Sequence, residues 1–250
     1  MVKVNVIIPI HNREQFLERT LNSCLKLSHN NCDIECVLVD DDSTDLSSEI
    51  AKSYETKHPE LFTYLKIHHR GHYGPWHARN VGIRYSDGKY LKFLDADDEL
   101  EPHTIDRQVE YMESHPLVDL YGESTYFVAM DWYGCAAFKD INNQHFGMYL
   151  YRKELVEKLP LFQDIPGEDV CFVMNYMYHF PIVVMELKKT SYIYHDENRD
   201  VSCNFAKNFN LPDGMKYVHA SYIQRLNEMN DDKYPLYVEF DDGEPKIKHR

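Results

Sequence analysis

The chain has 250 residues, of which 43% are hydrophobic, and this is enough for one folded domain with a sizeable core. No uninterrupted apolar stretch approaches the roughly 20 residues that cross a bilayer, and the first residues lack the layout of a signal peptide. The net charge of −14 disfavours a broad surface for nucleic-acid phosphates, although it leaves room for a local basic groove. The six cysteines form no Cys-x-x-Cys pair and have no histidine at zinc spacing, so we expect buried or incidental thiols in a reducing compartment. We therefore expect a soluble, cytoplasmic protein without a transmembrane segment.

Strands and helices alternate through the first hundred residues. Apolar runs predict four strands, and periodic apolar residues predict a helix between each strand and the next. The predicted strands cover residues 3–10, 34–39, 62–67 and 89–94, and the predicted helices end near residues 27, 57 and 85. This alternation favours an α/β fold, in which right-handed crossovers build a Rossmann-like, mostly parallel central sheet flanked by helices.

The pattern becomes mixed after residue 100. Helices are predicted over residues 102–114, 152–158, 167–179 and 214–229, and strands over residues 118–129, 146–151, 182–187 and 192–194. The stretch from 131 to 144 is expected to be irregular, and residues 231–250 are expected to form a solvated tail. Because no repeat or linker divides the chain, we predict that residues 101–230 form a smaller, mixed subregion of the same domain as residues 1–100.

The fourth predicted strand runs directly into a cluster of carboxylates, Asp95-Ala96-Asp97-Asp98. Carboxylates this close repel one another unless a cation lies between them. Mg²⁺ and Mn²⁺ are the hard divalent ions that carboxylates bind together with phosphate oxygens. In open α/β sheets, ligands bind outside the carboxyl ends of the strands, where this cluster is expected to lie. The structural alternative is an acidic surface turn that caps the next helix.

Two further motifs follow strands at the same predicted edge of the sheet. Asp40-Asp41-Asp42 ends the second strand, where a carboxylate can accept hydrogen bonds from the imide nitrogen of uracil or thymine, or from ribose hydroxyls. Arg79 lies in the helix after the third strand, and its fork of donors suits a base or a phosphate. Helix capping after the aspartates, and a surface position for Arg79, are the alternatives.

Two candidates lie in the second half of the chain. Glu168-Asp169 opens a predicted helix, where a carboxylate could act as a general base or could simply complement the helix dipole. His195 follows a predicted strand and is a candidate third metal ligand, although a loop histidine is more often just exposed.

These motifs, in this order, resemble those of the family-two glycosyltransferases of the GT-A fold over about residues 2–200. The resemblance rests on the opening strand and turn, Val4 to Arg13, and on four later motifs: Asp40-Asp41-Asp42-Ser43-Thr44-Asp45, Ala78-Arg79-Asn80, Asp95-Ala96-Asp97-Asp98 and Glu168-Asp169. The sequence departs from the family where Asp42 replaces the usual glycine and where Trp76-His77 replaces small residues.

The resemblance implies roles for individual residues. Residues 1–100 would bind the nucleotide sugar, and residues 101–230 would bind the acceptor and carry the catalytic base. The implied nucleotide-binding residues are Pro9, His11, Asn12, Asp41, Arg79 and Asp95, with Asp41 at the uracil. Asp97 would hold Mn²⁺ or Mg²⁺, joined by Asp95 and by His195 as a third ligand. Asp169 would be the catalytic base, and Glu168 would lie on the acceptor side. Apart from the resemblance, position and ring chemistry suggest that three rings of the irregular stretch build the acceptor wall: Trp132, Tyr133 and Phe138.

The implied activity is a metal-dependent, inverting hexosyl or pentosyl transfer from a nucleotide-sugar donor, with UDP as the favoured nucleotide. The acceptor hydroxyl could belong to a glycan, a lipid-linked sugar, a protein or a modified base. One alternative is a sugar-phosphate nucleotidyltransferase, although His11-Asn12-Arg13-Glu14 is not the glycine-rich basic loop which that chemistry favours. The other is a non-catalytic module that only binds nucleotide sugars.

Overall fold

The computed structural model describes residues 1–68, 74–131, 134–140, 146–164, 168–180, 182–196, 237–241 and 244–248. The strands are β1 (Val2–Ile10), β2 (Cys32–Asp41), β3 (Phe62–Ile67), β4 (Tyr90–Phe93), β5 (Glu99–Leu100), β6 (Leu120–Asp131), β7 (Gly134–Asp140), β8 (Tyr149–Arg152), β9 (Val183–Asp196), β10 (Tyr237–Asp241) and β11 (Glu244–Lys248). The helices are α1 (Leu17–Cys24), α2 (Ser47–Lys57), α3 (Pro75–Tyr85), α4 (Thr104–Ser114), α5 (Lys153–Val156) and α6 (Glu168–His179), with a 3₁₀ turn at Phe146–Met148. Over the described ranges, no helix combines the length and apolarity needed to span a membrane.

The half of the central sheet built by residues 1–100 is parallel. Its strands lie in the spatial order β3-β2-β1-β4, and Val4 of β1 lies between Ile34 of β2 and Tyr90 of β4. The chain moves outward from β1 to β2 and β3 and then returns to the other side of β1, so the strand order reverses between β1 and β4. Ligands of open α/β sheets bind at such a switch point. The predicted α/β class and the predicted order of elements in this half are confirmed.

The other half of the sheet is mixed, as predicted. Beyond β4 the order is β8-β6-β9-β5, and β8 runs antiparallel to both β4 and β6. The prediction of an irregular stretch after residue 131 was wrong over Gly134–Asp140, because this segment pairs with β6 as an antiparallel strand. The two strands predicted after residue 182 form one strand, β9, with register shifts against β6.

Only part of the C-terminal segment lies within the described residues. The helix predicted over residues 214–229 lies outside the described residues. Within the segment expected to be a tail, β10 and β11 pair as a two-stranded antiparallel sheet.

Alternation along β2 explains why helices cover both faces of the parallel strands. Leu38 belongs to the main core together with Leu21 of α1, whereas Val39 packs with Ala78 of α3 in a second cluster. Gly82 allows α3 to lie directly on β1, because a Cβ at this position would be 2.4 Å from Ile7 Cγ2. This close approach fixes the position of α3, and with it the position of the side chains that α3 presents at the carboxyl edge of the sheet.

Candidate active site

The loops after β1 and β2 are joined by hydrogen bonds that run in both directions. The Asn12 amide N–H donates to Ser43 Oγ (3.2 Å), and the Thr44 amide N–H donates to Asn12 Oδ1 (2.9 Å). The Arg13 amide N–H donates to Ser47 Oγ at 2.8 Å. Asn12 has φ 51°, a left-handed conformation that asparagine tolerates better than most residues. Asn12 therefore fixes these two loops to each other; its contact with a nucleotide stays a prediction.

The aspartates at the end of β2 have different surroundings. Asp40 is buried and accepts hydrogen bonds from the Ser43 amide (2.8 Å), from Tyr64 Oη (2.6 Å) and from Ser48 Oγ. Burial alone would raise the pKa of Asp40, but these hydrogen bonds outweigh it and lower the pKa. Asp42 has φ 57°, which explains why this position suits the glycine usual in the family. Asp40 and Asp42 thus shape the loop.

Asp41 connects the end of β2 to the start of α3 and to the loop after β1. The residue is 1% exposed, and its Oδ2 accepts a hydrogen bond from the Gly74 amide at 3.2 Å. Its main-chain carbonyl accepts a hydrogen bond from His11 Nδ1 at 2.7 Å. The structure therefore brings His11 and Asp41 together, with Pro9 buried two residues before His11 near the end of β1. Their contacts with a base stay predictions.

The segment Asp95-Ala96-Asp97-Asp98 after β4 is called the acidic loop. Arg79 of α3 joins this loop to the start of α6. Its side chain is 4% exposed, and the guanidinium donates to Asp95 Oδ1 at 2.7 Å and to Glu168 Oε1 at 2.5 Å. Its Cζ lies 4.4 Å from the centre of the Phe146 ring and 5.4 Å from that of Phe162. Burial alone would lower the pKa of Arg79, but the surrounding carboxylates outweigh it and raise the pKa. Two acidic motifs that are distant in sequence therefore share one buried cation.

The next residue of α3 holds the segment that leads into α6. Asn80 Nδ2 donates to the Phe162 carbonyl at 2.7 Å, and the Phe162 amide donates to Asn80 Oδ1 at 3.0 Å. Sequence reasoning assigned no role to Asn80, although its place directly after Arg79 was a usable signal. Through Arg79 and Asn80, the chain at Phe162 and at the start of α6 is tied to α3.

Asp169 follows Glu168 in the first turn of α6. Burial and the charge of Asp169 raise the pKa of Glu168, while Arg79 opposes that rise. The structure therefore places the predicted base beside the clamped Glu168. Of the predicted acceptor-side rings, Trp132 and Tyr133 lie outside the described residues, and Phe138 falls within β7.

Asp97 of the acidic loop is in contact with two arginines that follow β1 in the chain. Arg13 Nε lies 3.4 Å from Asp97 Oδ2, across the point where the strand order reverses, and Arg19 donates to the Asp97 carbonyl at 2.6 Å. Burial and the neighbouring Asp95 raise the pKa of Asp97, because both disfavour a second negative charge in this loop. Sequence reasoning did not identify Arg13.

The acidic loop is held from β9. The Tyr192 hydroxyl donates to Asp98 Oδ2 (2.7 Å) and accepts a hydrogen bond from the Asp95 amide (3.2 Å). The His195 amide donates to Asp98 Oδ1 at 2.8 Å, and His195 Nε2 donates to Glu99 Oε1 at 2.8 Å. Asp98 therefore anchors the loop, and binding of a metal by His195 stays a prediction.

Replacing Tyr192 with phenylalanine should measurably destabilise the protein. The Tyr192→Phe change removes one hydroxyl and leaves the buried Asp98 carboxylate with one fewer donor, so the free energy of unfolding should fall by about 1.5–3 kcal/mol. Urea unfolding measures this value. Tyr178→Phe is the matched control, because Tyr178 is 53% exposed and should change stability by less than about 0.5 kcal/mol. Equal unfolding free energies for the two variants would contradict the anchoring role.

The carboxylates of the acidic loop fit a divalent ion that binds together with phosphate. Across the described ranges, no group of three or more His, Cys, Asp or Glu side chains is arranged to hold a metal ion. Mg²⁺ usually takes only one or two carboxylates and completes its shell with water and substrate phosphates. Asp95 and Asp97 supply that number, and the crowding that raises the pKa of Asp97 would be relieved by a cation. The donor set therefore suits a metal–diphosphate complex.

Comparisons with known proteins show which family the chain resembles. The family model described as glycosyl transferase family 2 matches residues 5–132, which is just over half of the chain. An uncharacterized glycosyltransferase of Haemophilus influenzae is 34% identical over 122 residues, which cover 49% of this chain and 47% of that protein. The poly(ribitol-phosphate) beta-N-acetylglucosaminyltransferase TarS of Staphylococcus aureus is 30% identical over 115 residues, which cover 46% of this chain and 20% of TarS.

Solved structures show the same fold. TarS 1-349 in complex with UDP-GlcNAc matches with a TM-score of 0.64 at 23% identity, over 78% of this chain and 59% of that one. The mannosyltransferase PcManGT of Pyrobaculum calidifontis, in complex with GDP-Man and Mn²⁺, matches with a TM-score of 0.62 at 18% identity, over 79% and 58%. The matched segment spans less than half of the sequence relatives described above. Because the family model covers the parallel half of the sheet and the acidic loop after β4, the chain belongs to glycosyltransferase family 2.

Proposed function

We propose that this chain is a metal-dependent, inverting glycosyltransferase that moves a sugar from a nucleoside diphosphate, with UDP as the favoured nucleotide, to an acceptor hydroxyl. The observation that carries the proposal is the buried Arg79 guanidinium, which holds Asp95 of the acidic loop and Glu168 of α6 at 2.7 and 2.5 Å. A transferase of this kind needs its diphosphate site and its base close together, and Arg79 joins the two segments that would carry them.

The donor site would lie over the switch point between β1 and β4. Asp41, with Pro9 and His11, would line the nucleotide base, while Asn12 keeps the two surrounding loops in register. Asp95 would meet the ribose, and Arg79 would hold that carboxylate in place. The UDP-GlcNAc complex of TarS supports a UDP-sugar donor.

Asp97, joined by Asp95, would hold Mn²⁺ or Mg²⁺ beside the diphosphate. When bound, such an ion offsets the negative charge that develops on the leaving diphosphate. Arg13 contacts Asp97, and the Tyr192 hydroxyl of β9 holds the same loop through its hydrogen bonds with Asp98 and with the Asp95 amide. The Mn²⁺ in the PcManGT complex supports the use of a divalent metal.

Asp169 would be the general base that takes the proton of the acceptor hydroxyl. Glu168 is less suited, because its carboxylate is committed to Arg79 at 2.5 Å. Its neighbour Asp169 sits in the first turn of a helix that Arg79 holds to the donor half, and Asn80 holds the chain at Phe162, shortly before that helix. A base that activates the acceptor for direct displacement inverts the anomeric centre, because only one substitution occurs.

A thermal-shift screen of UDP-, GDP- and dTDP-sugars, each with and without Mn²⁺, tests the proposal. A ligand at 100 times its Kd stabilises the folded state by about 2.7 kcal/mol, so the best donor with Mn²⁺ should raise Tm by several degrees. The same mixture should then hydrolyse the donor slowly to nucleoside diphosphate and sugar. A shift without hydrolysis would indicate a binding module, and pyrophosphate release from a nucleoside triphosphate would indicate a nucleotidyltransferase. No shift with any donor would overturn the proposal.

A further inference from the structure

We infer that Arg13 is a diphosphate-binding residue, which pairs with Asp97 in the ligand-free protein and turns to the phosphates when donor and metal are bound. The inference rests on the proposed function, since it assigns one more residue to the same site. It is carried by a contrast between two arginines at the carboxyl edge of the sheet, Arg13 and Arg79.

Arg79 is not available to change partners. Its side chain is 4% exposed, both terminal nitrogens are bound to carboxylates at 2.5 and 2.7 Å, and aromatic rings pack against it. Turning this guanidinium toward a phosphate would leave Asp95 and Glu168 without their shared cation, and leaving buried charges uncompensated is strongly unfavourable.

Arg13 is held much more loosely. Its Nε is 3.4 Å from Asp97 Oδ2, and the two side chains are 27% and 24% exposed. Its NH1 group reaches the main-chain carbonyls of His11 and Asn12 only at 3.4 and 3.2 Å. This ion pair is long and partly solvent-exposed, and such pairs contribute less to stability than buried ones, so the guanidinium can leave Asp97 at a smaller cost than Arg79 would incur. The Arg13 main chain is fixed separately, because its amide donates to Ser47 Oγ at 2.8 Å.

The position of Arg13 matches the needs of a diphosphate. It lies in the loop after β1 and contacts Asp97 in the loop after β4, so it joins the two sides of the switch point where ligands of open α/β sheets bind. Once Asp97 is engaged by a divalent ion, it no longer needs Arg13, whose planar fork of donors suits phosphate oxygens. In the ligand-free protein, the same guanidinium offsets part of the carboxylate crowding around Asp97.

If Arg13 changes partners in this way, removing its charge should change the affinity for metal and the affinity for diphosphate in opposite directions. Without the charge of Arg13, one of the two arginines that act on Asp97 is lost, so the nucleotide-free protein should bind a divalent ion more tightly. The metal-loaded protein should bind a nucleoside diphosphate more weakly, because a charge-assisted contact is lost. A residue that only supports the loop would weaken both.

The test uses calorimetric titration of the full chain with Mn²⁺ alone, and then with UDP and GDP at saturating Mn²⁺. Arg13→Gln keeps the main-chain hydrogen bond to Ser47 and removes the charge. We expect Mn²⁺ to bind about two- to fivefold more tightly and the preferred diphosphate about 10- to 100-fold more weakly. Arg84→Gln, the same change at an exposed position near the end of α3, should change neither affinity.

The outcomes separate this inference from the proposed function. If the unsubstituted protein binds Mn²⁺ with UDP or GDP but Arg13→Gln matches Arg84→Gln, Arg13 has no such role and the transferase proposal stands. If Arg13→Gln weakens Mn²⁺ and diphosphate together, Arg13 is structural and the inference is overturned. If the unsubstituted protein binds neither diphosphate, the inference and the proposed function both fall.

Discussion

Asp169→Asn should bind UDP as the unsubstituted protein does and transfer sugar about 10²–10⁴ times more slowly. Asparagine keeps the shape of the side chain but cannot take the proton of an acceptor hydroxyl. Because Arg79 still holds the adjacent Glu168 at 2.5 Å, the start of α6 should stay in place after the change. UDP affinity by calorimetry and turnover by release of UDP measure the two quantities separately.

Asp164→Asn is the matched control for this prediction. It makes the same chemical change at an exposed position shortly before α6, and it should leave turnover unchanged. Ordinary transfer by Asp169→Asn would show that another group is the base, and loss of UDP binding would place Asp169 in the donor site.

Arg79→Ala should lower the free energy of unfolding by about 2–4 kcal/mol. The change leaves Asp95 and Glu168 without their shared cation and removes the stacking of the guanidinium on Phe146 and Phe162. Breaking a fully buried pair typically costs about 3–5 kcal/mol, and the effect here should be smaller because the Asp95 and Glu168 side chains keep 24% and 15% of their exposure. Urea unfolding followed by circular dichroism measures the difference.

Arg84→Ala provides the comparison for Arg79→Ala on the same helix. Arg84 is exposed in the last turn of α3, so its loss should change stability by no more than about 0.5 kcal/mol. Similar unfolding free energies for the two alanine variants would mean that Arg79 does not hold α6 to the acidic loop. A partial recovery is expected for Arg79→Lys, which keeps a charge but cannot make both contacts in the same geometry.

Much of the fold could be predicted from the sequence because buried parallel strands are apolar along their length. The strands β1 to β4 and the helices between them follow local patterns, and the structure has them in the predicted order. The hairpin partner β7 could not be predicted in this way, since its place depends on pairing with β6. Likewise, Lys188 and Lys189 interrupt the apolar pattern of β9 at a register shift, and β9 pairs with β6 both before and after this shift.

The candidate site was predictable in position more than in contacts. Strand ends of a parallel sheet lie at one edge, so the sequence could place Asp41 and Asp97 there. It could not show that Arg79 is bound to Glu168, a residue 89 positions away, because nothing local specifies that ion pair. Arg13 was missed for the same reason: a single arginine in a turn carries no signal until its neighbour across the sheet is known.

The hydrogen bonds between the loops after β1 and β2 mean that neither loop can change in length independently of the other. Asn12 bonds to both Ser43 and Thr44, and Arg13 bonds to Ser47, so the length and shape of either loop are set by the other. An insertion in one loop alone would break the contacts of both. To exchange donor preference between relatives, residues 11–14 and residues 41–47 should therefore be replaced together.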